Sequence, residues 1–258
     1  MTAVFNLTST SSDLLYYLEE VWSAGFSYNG NGAFDDPNNT THANWGAGTT
    51  SGYGVVLEGS PLDYAQGGLN TTTSDIDLLQ FGTGYSYDET NGSALTTVDL
   101  SIDLGGVAPT TTFNYAIYTL SHGGLLEGGT FFGQSLPGFY DYFAQVGTEQ
   151  IGTSGADALY SFEGNDVLTG NGGIDEFVFD LAGFGLLDTA FTTIGDDTIT
   201  DFNAANETIY IGVTGYDDYS DLSITGTTNA VIDLGSYGSI TLTGVSASSL
   251  SADNFAFV

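Results

Sequence analysis

The sequence predicts a two-part fold. An α+β region with an antiparallel sheet spans residues 1–150, and an all-β region runs from there to residue 258. Three observations carry this reading. Apolar residues keep a helical spacing near the start. They alternate with polar residues in the middle. From Gly152 the chain repeats itself every nine residues.

The first element is a helix in SSDLLYYLEEVWSAGF. Leu14, Leu15, Leu18, Val21 and Trp22 share one face, Ser12 or Asp13 caps the start, and Gly25 ends it. Residues 27–52, rich in Gly, Asn, Thr and Asp, read as a long loop. Strands are expected at Tyr53–Leu57, Asp75–Phe81, Leu95–Leu104 and Thr111–Leu120. In the third, Val98, Leu100, Ile102 and Leu104 alternate with polar residues, as a half-buried antiparallel strand requires. A second helix is expected over Pro137–Gly147, with Pro in its first turn and Gly at its end. Residues 203–258 form a β tail of short segments: ETIYIGV, DLSITGT, AVIDLG, SITLTGV and NFAFV. At the other end, AVFNLTST (Ala3–Thr10) alternates like a strand without a nearby hairpin partner. It is expected to add to a neighbouring molecule's sheet.

Charge is the strongest compositional signal. The chain has no Lys or Arg and 32 Asp plus Glu, a formal charge of -32, although only 12% of its residues are charged. Self-repulsion on this scale opposes compaction unless cations bind. Nucleic acid and anionic membrane surfaces are excluded as expected partners, because neither is attracted to such a surface. No cysteine is present, which excludes disulfides, thiolate metal sites and a thiol nucleophile. The first twenty residues hold no basic region and no apolar run, so export by a Sec-type leader is not expected, and no stretch is long and apolar enough for a membrane-spanning helix.

Laid out in nines, residues 152–178 read GTSGADALY, SFEGNDVLT and GNGGIDEFV. Gly155, Gly164 and Gly173 share one position. Asp157, Asp166 and Asp175 stand two residues later, and Leu159, Leu168 and Phe177 two after that. The pattern resembles the RTX (hemolysin-type) calcium-binding repeat. Glycine permits a tight turn with converging carbonyls. Aspartate supplies a hard oxygen for Ca²⁺, and the apolar residue begins a short inward-facing strand. The resemblance implies a parallel β-roll over residues 151–202, two repeats per turn, with Ca²⁺ between loops one full turn apart. Asp157 and Asp175 then share an ion. Asp166 takes its partner from TTIGDDTITDF, where Gly195, Asp197 and Ile199 repeat the same offsets after an insertion at 181–191. Thr153, Ser161, Phe162 and Asn171 stand where the family has glycine, so two or three ions are expected rather than a full ladder. The end of the chain, SLSADNFAFV, resembles the tails of RTX proteins exported by the type I secretion apparatus.

LLYYLEEVWSAGF, VVLEGSPLDYAQGG and DIDLLQFGTG resemble the HasA hemophore family over residues 12–120. That resemblance implies haem iron held by a tyrosine at the position of Tyr64. The family's distal histidine is missing near Tyr28–Gly32, and its supporting histidine is missing from Leu69–Ser74. His42 is the candidate replacement ligand, and His122 reads as a turn residue at a strand end. No Lys or Arg is available to pair haem propionates. No HExxH or GxSxG motif is present, and an enzyme is not expected. Two functions remain open. One is a secreted, calcium-dependent structural protein that self-assembles into a filament, surface layer or matrix. The other is a hemophore using Tyr64, and an absorption spectrum with hemin discriminates them.

Overall fold

The computed structural model describes residues 2–27, 32–36, 38–65, 67–187 and 190–258. The chain is mostly β with few helices, and its contacts group into two units. The first holds Ala3–Phe5 and Leu18–Tyr142; the second holds Asn6–Tyr17 and Phe143–Val258.

Strands of the first unit are β1 (Ala3–Leu7), β2 (Ala33–Phe34), β3 (Thr41–Gly48), β4 (Tyr53–Ala65), β5 (Gly68–Leu69), β6 (Ile76–Thr83), β7 (Ser86–Asp88), β8 (Gly92–Ala94), β9 (Thr97–Val107), β10 (Gly128–Phe131) and β11 (Gln134–Pro137). Its sheet runs β1-β9-β6-β4-β3-β2, with β9, β6, β4, β3 and β2 antiparallel in succession. The alternation read in the third strand puts Leu100, Ile102 and Leu104 into the core.

Four expectations are corrected here. The expected loop 27–52 contains β3, a strand built from THANWGAG. Its side chains carry little β signal; pairing with β4 makes the strand and buries Trp45 and Ala47. Thr111–Leu120 is the start of a helix, Thr111–Gly123. Thr110 Oγ1 accepts from Phe113 N at 3.1 Å, Gly124 takes the left-handed conformation at φ 66, and Phe113, Ala116 and Leu120 supply the buried stripe. Pro137 belongs to β11, and the next helix is Phe139–Val146. Finally, β1 is no free strand. It stands next to β9, and Ala3, Phe5 and Leu7 are buried, so it cannot be donated to another molecule without opening its own sheet.

The N-terminal helix is three short pieces, Leu14–Tyr16, a π turn Tyr17–Trp22 and Ser23–Gly25. Asp13 caps it through Tyr16 N, as read from the sequence. Trp22 stacks on Phe26 at 4.6 Å and meets Phe81 edge-on.

In the second unit the chain alternates between two parallel sheets. One contains β12 (Thr148–Ile151), β14 (Val167–Thr169), β16 (Gly195–Ile199) and β20 (Gly238–Leu242) in that order. The other contains β13 (Ala158–Tyr160), β15 (Glu176–Asp180), β17 (Thr208–Gly212) and β21 (Phe255–Phe257). β18 (Ser223–Thr225) and β19 (Ala230–Asp233) extend the first of these antiparallel to β20. Ala158 pairs with Glu176, eighteen residues on, which is two nonapeptides per turn. Leu159, Leu168 and Phe177 all point into the shared core. The arrangement is consistent with a parallel β-roll.

Stacked turns explain the glycines at only some positions. Gly164 and Gly173 have φ of 110 and 137, and a Cβ on Gly173 would run into the Gly155 carbonyl. Gly155 has no such constraint: a Cβ there meets only Thr153 Oγ1 at 3.5 Å. Gly195 is the tightest, since a Cβ would overlap the Gly164 carbonyl at a φ of 82. Gly195→Ala is therefore expected to destabilise the second unit by about 3 kcal/mol or more. Gly244→Ala, with φ 76 but nothing within 4 Å, carries only the backbone cost of about 1 kcal/mol. Denaturant unfolding of both variants compares them.

Candidate metal centre

The loops that lead into the two sheets stack carboxylates in two columns. The first column consists of Asp157, Asp175 and Glu207, the residues just before β13, β15 and β17. Glu176 N donates to Asp157 O at 2.8 Å and Thr208 N to Asp175 O at 3.3 Å, which fixes their register. Asp157 N donates to Asp175 Oδ1 at 3.0 Å. The expected Asp157–Asp175 pairing across one turn is thus present in the geometry.

Asp157 and Asp175 occupy equivalent loops yet differ in hydrogen bonding. In the first loop Thr153 N donates to Asp157 Oδ2 at 2.7 Å, with the Thr153 hydroxyl adding a contact at 3.0 Å. The equivalent N–H in the second loop is that of Asn171. It donates instead to Asp201 Oδ2 at 2.7 Å, and Gly170 N donates to Asp201 Oδ1 at 3.0 Å. Asp175 is only 1% exposed, and its Oδ2 has no hydrogen-bond partner. Gly170 leaves the space beside that oxygen, which a Cβ would fill. A buried carboxylate oxygen with no donor is costly unless a cation meets it.

Burial pushes the carboxyls of Asp157, Asp175 and Glu207 above their ordinary range. For Asp175 the charges of Asp157 and Asp201 add to this; for Glu207 those of Asp175 and Asp201 do. Asp201 and Glu207 thereby join the site. The sequence offered a signal for them, because TDFNAANE occupies the next loop of the same column, but it breaks the nine-residue phase. Among the described residues no three His, Asp or Glu side chains are arranged to hold a metal ion by themselves. An ion here would take one or two carboxylates and complete its shell from main-chain carbonyls and water, as oxygen-seeking Ca²⁺ does. A cleft of about 180 Å³ opens beside the first loop, lined by Asp13, Asp157 and Glu176 among others.

The second column runs from Thr148, at the start of β12, through Asp166, just before β14, to Asp197 of β16, which pairs with Ile240 of β20. Asp166 and Asp197 meet, as the repeat offsets predict. Here every carboxylate oxygen has a donor. Thr148 N and Oγ1 reach Asp166 Oδ1 at 2.7 and 2.8 Å, and Phe162 N reaches Oδ2 at 2.8 Å. Asp166 N reaches Asp197 Oδ1 at 2.7 Å, and Ser161 Oγ reaches Oδ2 at 2.8 Å. Burial raises Asp166 to about 6; burial and then the Asp166 charge raise Asp197 to about 9. Burial and the facing charge thus favour one protonated carboxyl in this pair, in contrast to the first column with its donorless Asp175 oxygen.

The haem candidates lie in the first unit. Tyr64, 42% exposed, lines a cavity of about 200 Å³ together with Phe34, Trp45, Tyr118 and His122. His42 is not part of that lining. It is buried behind Phe34, stacked on that ring at 4.4 Å, with Nδ1 at 2.5 Å from Asp35 O and 3.2 Å from Asp35 Oδ1. The histidine that shares the cavity with Tyr64 is His122, which stands at the end of a helix and not of a strand as expected. The Tyr28–Gly32 segment expected to carry a distal ligand falls, save Gly32, outside the described residues. Pockets for drug-sized ligands span roughly 300–1,000 Å³, so this cavity is small for a macrocycle.

No protein-family model matches this chain, and no curated protein matches it. Solved structures of two kinds are similar to parts of it, hemophores and a repeat subunit of an epimerase. The apo hemophore HasA from Yersinia pestis, in its tetragonal form, is 17% identical with a TM-score of 0.34, covering 46% of this chain and 78% of that one. The holo form is 19% identical with a TM-score of 0.34, covering 47% and 82%. The AlgE6R3 subunit of the Azotobacter vinelandii mannuronan C5-epimerase is 22% identical with a TM-score of 0.22, covering 42% and 76%. These likenesses are weak, and the functional reading rests on the residues. No helix among the described residues is long and apolar enough to cross a membrane.

Proposed function

We propose that this chain is a secreted, non-enzymatic calcium-binding protein whose second unit orders around Ca²⁺. Its role in this reading is structural: a self-assembling component of an extracellular filament, surface layer or matrix. The observation that carries the proposal is the column Asp157, Asp175 and Glu207, with a buried Asp175 oxygen that no donor meets. A chain at -32 stays loose where calcium is scarce and is suited to export through the type I apparatus before it folds. Extracellular calcium modules bind with Kd on the order of 10⁻⁴–10⁻³ M, and an ion that binds only the folded state stabilises it by mass action.

Assembly fits the same electrostatics, since like-charged copies approach closely only when cations neutralise the contact. With β1 committed to its own sheet, β21 is the better edge for a neighbour. Ser12 and Asp13 cover the far edge of the same sheet at β13, with Ala158 N donating to Ser12 O at 2.7 Å, whereas β21 ends the strand order.

Circular dichroism and light scattering of the full chain in chelator and in millimolar calcium test both parts. Calcium is expected to restore β signal from residues 152–202 and to give ordered multimers. Identical β content in both conditions would sink the calcium reading; a calcium-ordered monomer would sink assembly alone. The hemophore alternative keeps one supporting observation, Tyr64 in an aromatic cavity, and needs a Soret band with hemin that Tyr64→Phe removes.

A further inference from the structure

The cavity of the first unit has four aromatic rings among its lining residues. Phe34, Trp45, Tyr64 and Tyr118 contribute rings to it. Their neighbours hold several of these rings in place. Phe34 stacks on His42 at 4.4 Å and meets Tyr64 at 5.0 Å, while Tyr118 stacks on His122 at 3.9 Å and meets Phe131 edge-on at 5.3 Å. Asn114, Ser121 and one ring nitrogen of His122 in the lining are engaged already. Asn114 Oδ1 accepts from Leu69 N at 2.8 Å, and its Nδ2 donates to Leu69 O at 2.9 Å. Ser121 Oγ donates to Tyr118 O at 3.1 Å, and His122 Nδ1 lies 3.0 Å from the same carbonyl. A carboxylate or phosphate would find no Lys or Arg there to pair with.

Electrostatics select among ligands that ring faces can hold. The chain has no Lys or Arg, Asp35 follows Phe34 directly, and Asp63 precedes Tyr64. Anions are repelled from this surface and cations are concentrated at it. The face of an aromatic ring carries partial negative charge and attracts a weakly hydrated cation. A volume of about 200 Å³ holds a small head group rather than a macrocycle. We infer that this cavity binds a small organic cation of the quaternary-ammonium type among the rings of Phe34, Trp45, Tyr64 and Tyr118. The inference is independent of the calcium reading, which concerns the other unit.

Calorimetry on the full chain in millimolar calcium tests it, with choline as the probe and its neutral isostere 3,3-dimethyl-1-butanol as the comparison. Choline is expected to bind one to one and about tenfold more tightly than the isostere, the scale of a partly desolvated cation–π contact. Tyr64→Phe keeps the ring and should change choline affinity by less than about twofold, whereas Tyr64→Leu and Tyr118→Leu should weaken it about tenfold. Tyr64 is half exposed, so its variants are expected to fold, and the choline–isostere comparison needs no variant at all. Equal affinity for the isostere, or no binding, overturns the inference. Choline binding untouched by both leucine variants overturns it too, placing the ion elsewhere on the acidic surface. Hemin giving a Soret band that Tyr64→Phe abolishes, with choline not competing, assigns the cavity to haem instead.

Discussion

Asp175→Asn is expected to weaken calcium binding by the second unit by roughly 100-fold, about 2.7 kcal/mol, while leaving the calcium-free protein as stable as before or more so. The variant removes one negative charge from a carboxyl that burial first, and then the charges of Asp157 and Asp201, make costly to ionise. The amide side chain keeps the acceptor that meets Asp157 N and puts an NH₂ group among carboxylates in place of the donorless Oδ2. Without calcium that exchange relieves the site; with calcium it deletes a hard ligand. Asp77→Asn, on β6 in the other unit, is the control and should alter neither quantity. Titration calorimetry measures affinity, and thermal unfolding in chelator measures the calcium-free state. Equal losses from both variants would show diffuse counter-ion condensation instead of a defined centre.

Asp197→Asn should separate the second column from the first. With the carboxyl at about 9 when folded and near 3.8 when unfolded, the folded protein holds a proton that the unfolded chain releases above about pH 4. Asp166, raised to about 6, behaves the same way over a narrower range. Stability in chelator is therefore full below about pH 4 and is lost as pH rises through about 6 and then about 9. The amide that replaces the Asp197 carboxyl carries no titrating proton. Its oxygen can accept from Asp166 N, and its NH₂ group can donate to Ser161 Oγ. That hydroxyl already has two other acceptors in reach, Phe162 O at 3.0 Å and Ile194 O at 3.2 Å. The variant should flatten the alkaline side of the profile and raise the melting temperature at pH 8.5 by several degrees, at about 3 °C per kcal/mol for a chain of this size. Calcium affinity should fall by less than about threefold. A loss matching that of Asp175→Asn would make Asp197 a ligand and overturn the proton-holding role.

The repeat was legible because its phase is enforced by stacking. Leu159, Leu168 and Phe177 must enter one narrow core, and Asp157 and Asp175 must fall one above the other when each turn takes eighteen residues. Asp201 and Glu207 escaped because their loop follows an insertion, and a fixed period does not reach across it. The helix Thr111–Gly123 reads as a strand for a different reason. Phe113, Tyr115, Ile117 and Thr119 satisfy a period of two as well as Phe113, Ala116 and Leu120 satisfy the helical period. Only the Thr110 cap and Gly124 decide between them. β3 had little signal of its own to read, since its partner β4 supplies the reason for its extended form.

The turns of the second unit lengthen along the chain. Ala158 meets Glu176 eighteen residues on, Val167 meets Thr198 across thirty-one, and Ile209 meets Phe255 across forty-six. Loop closure costs more entropy for each longer span, and contacts near in sequence form soonest. Glu149 also meets Val167 across eighteen residues, and of these two shortest closures the second, Ala158 with Glu176, brings Asp157 over Asp175. On the proposed calcium reading, ion capture and nucleation are expected to coincide, with the longer closures toward β21 following. On that same reading, refolding rates should depend on calcium concentration earlier and more steeply than unfolding rates do.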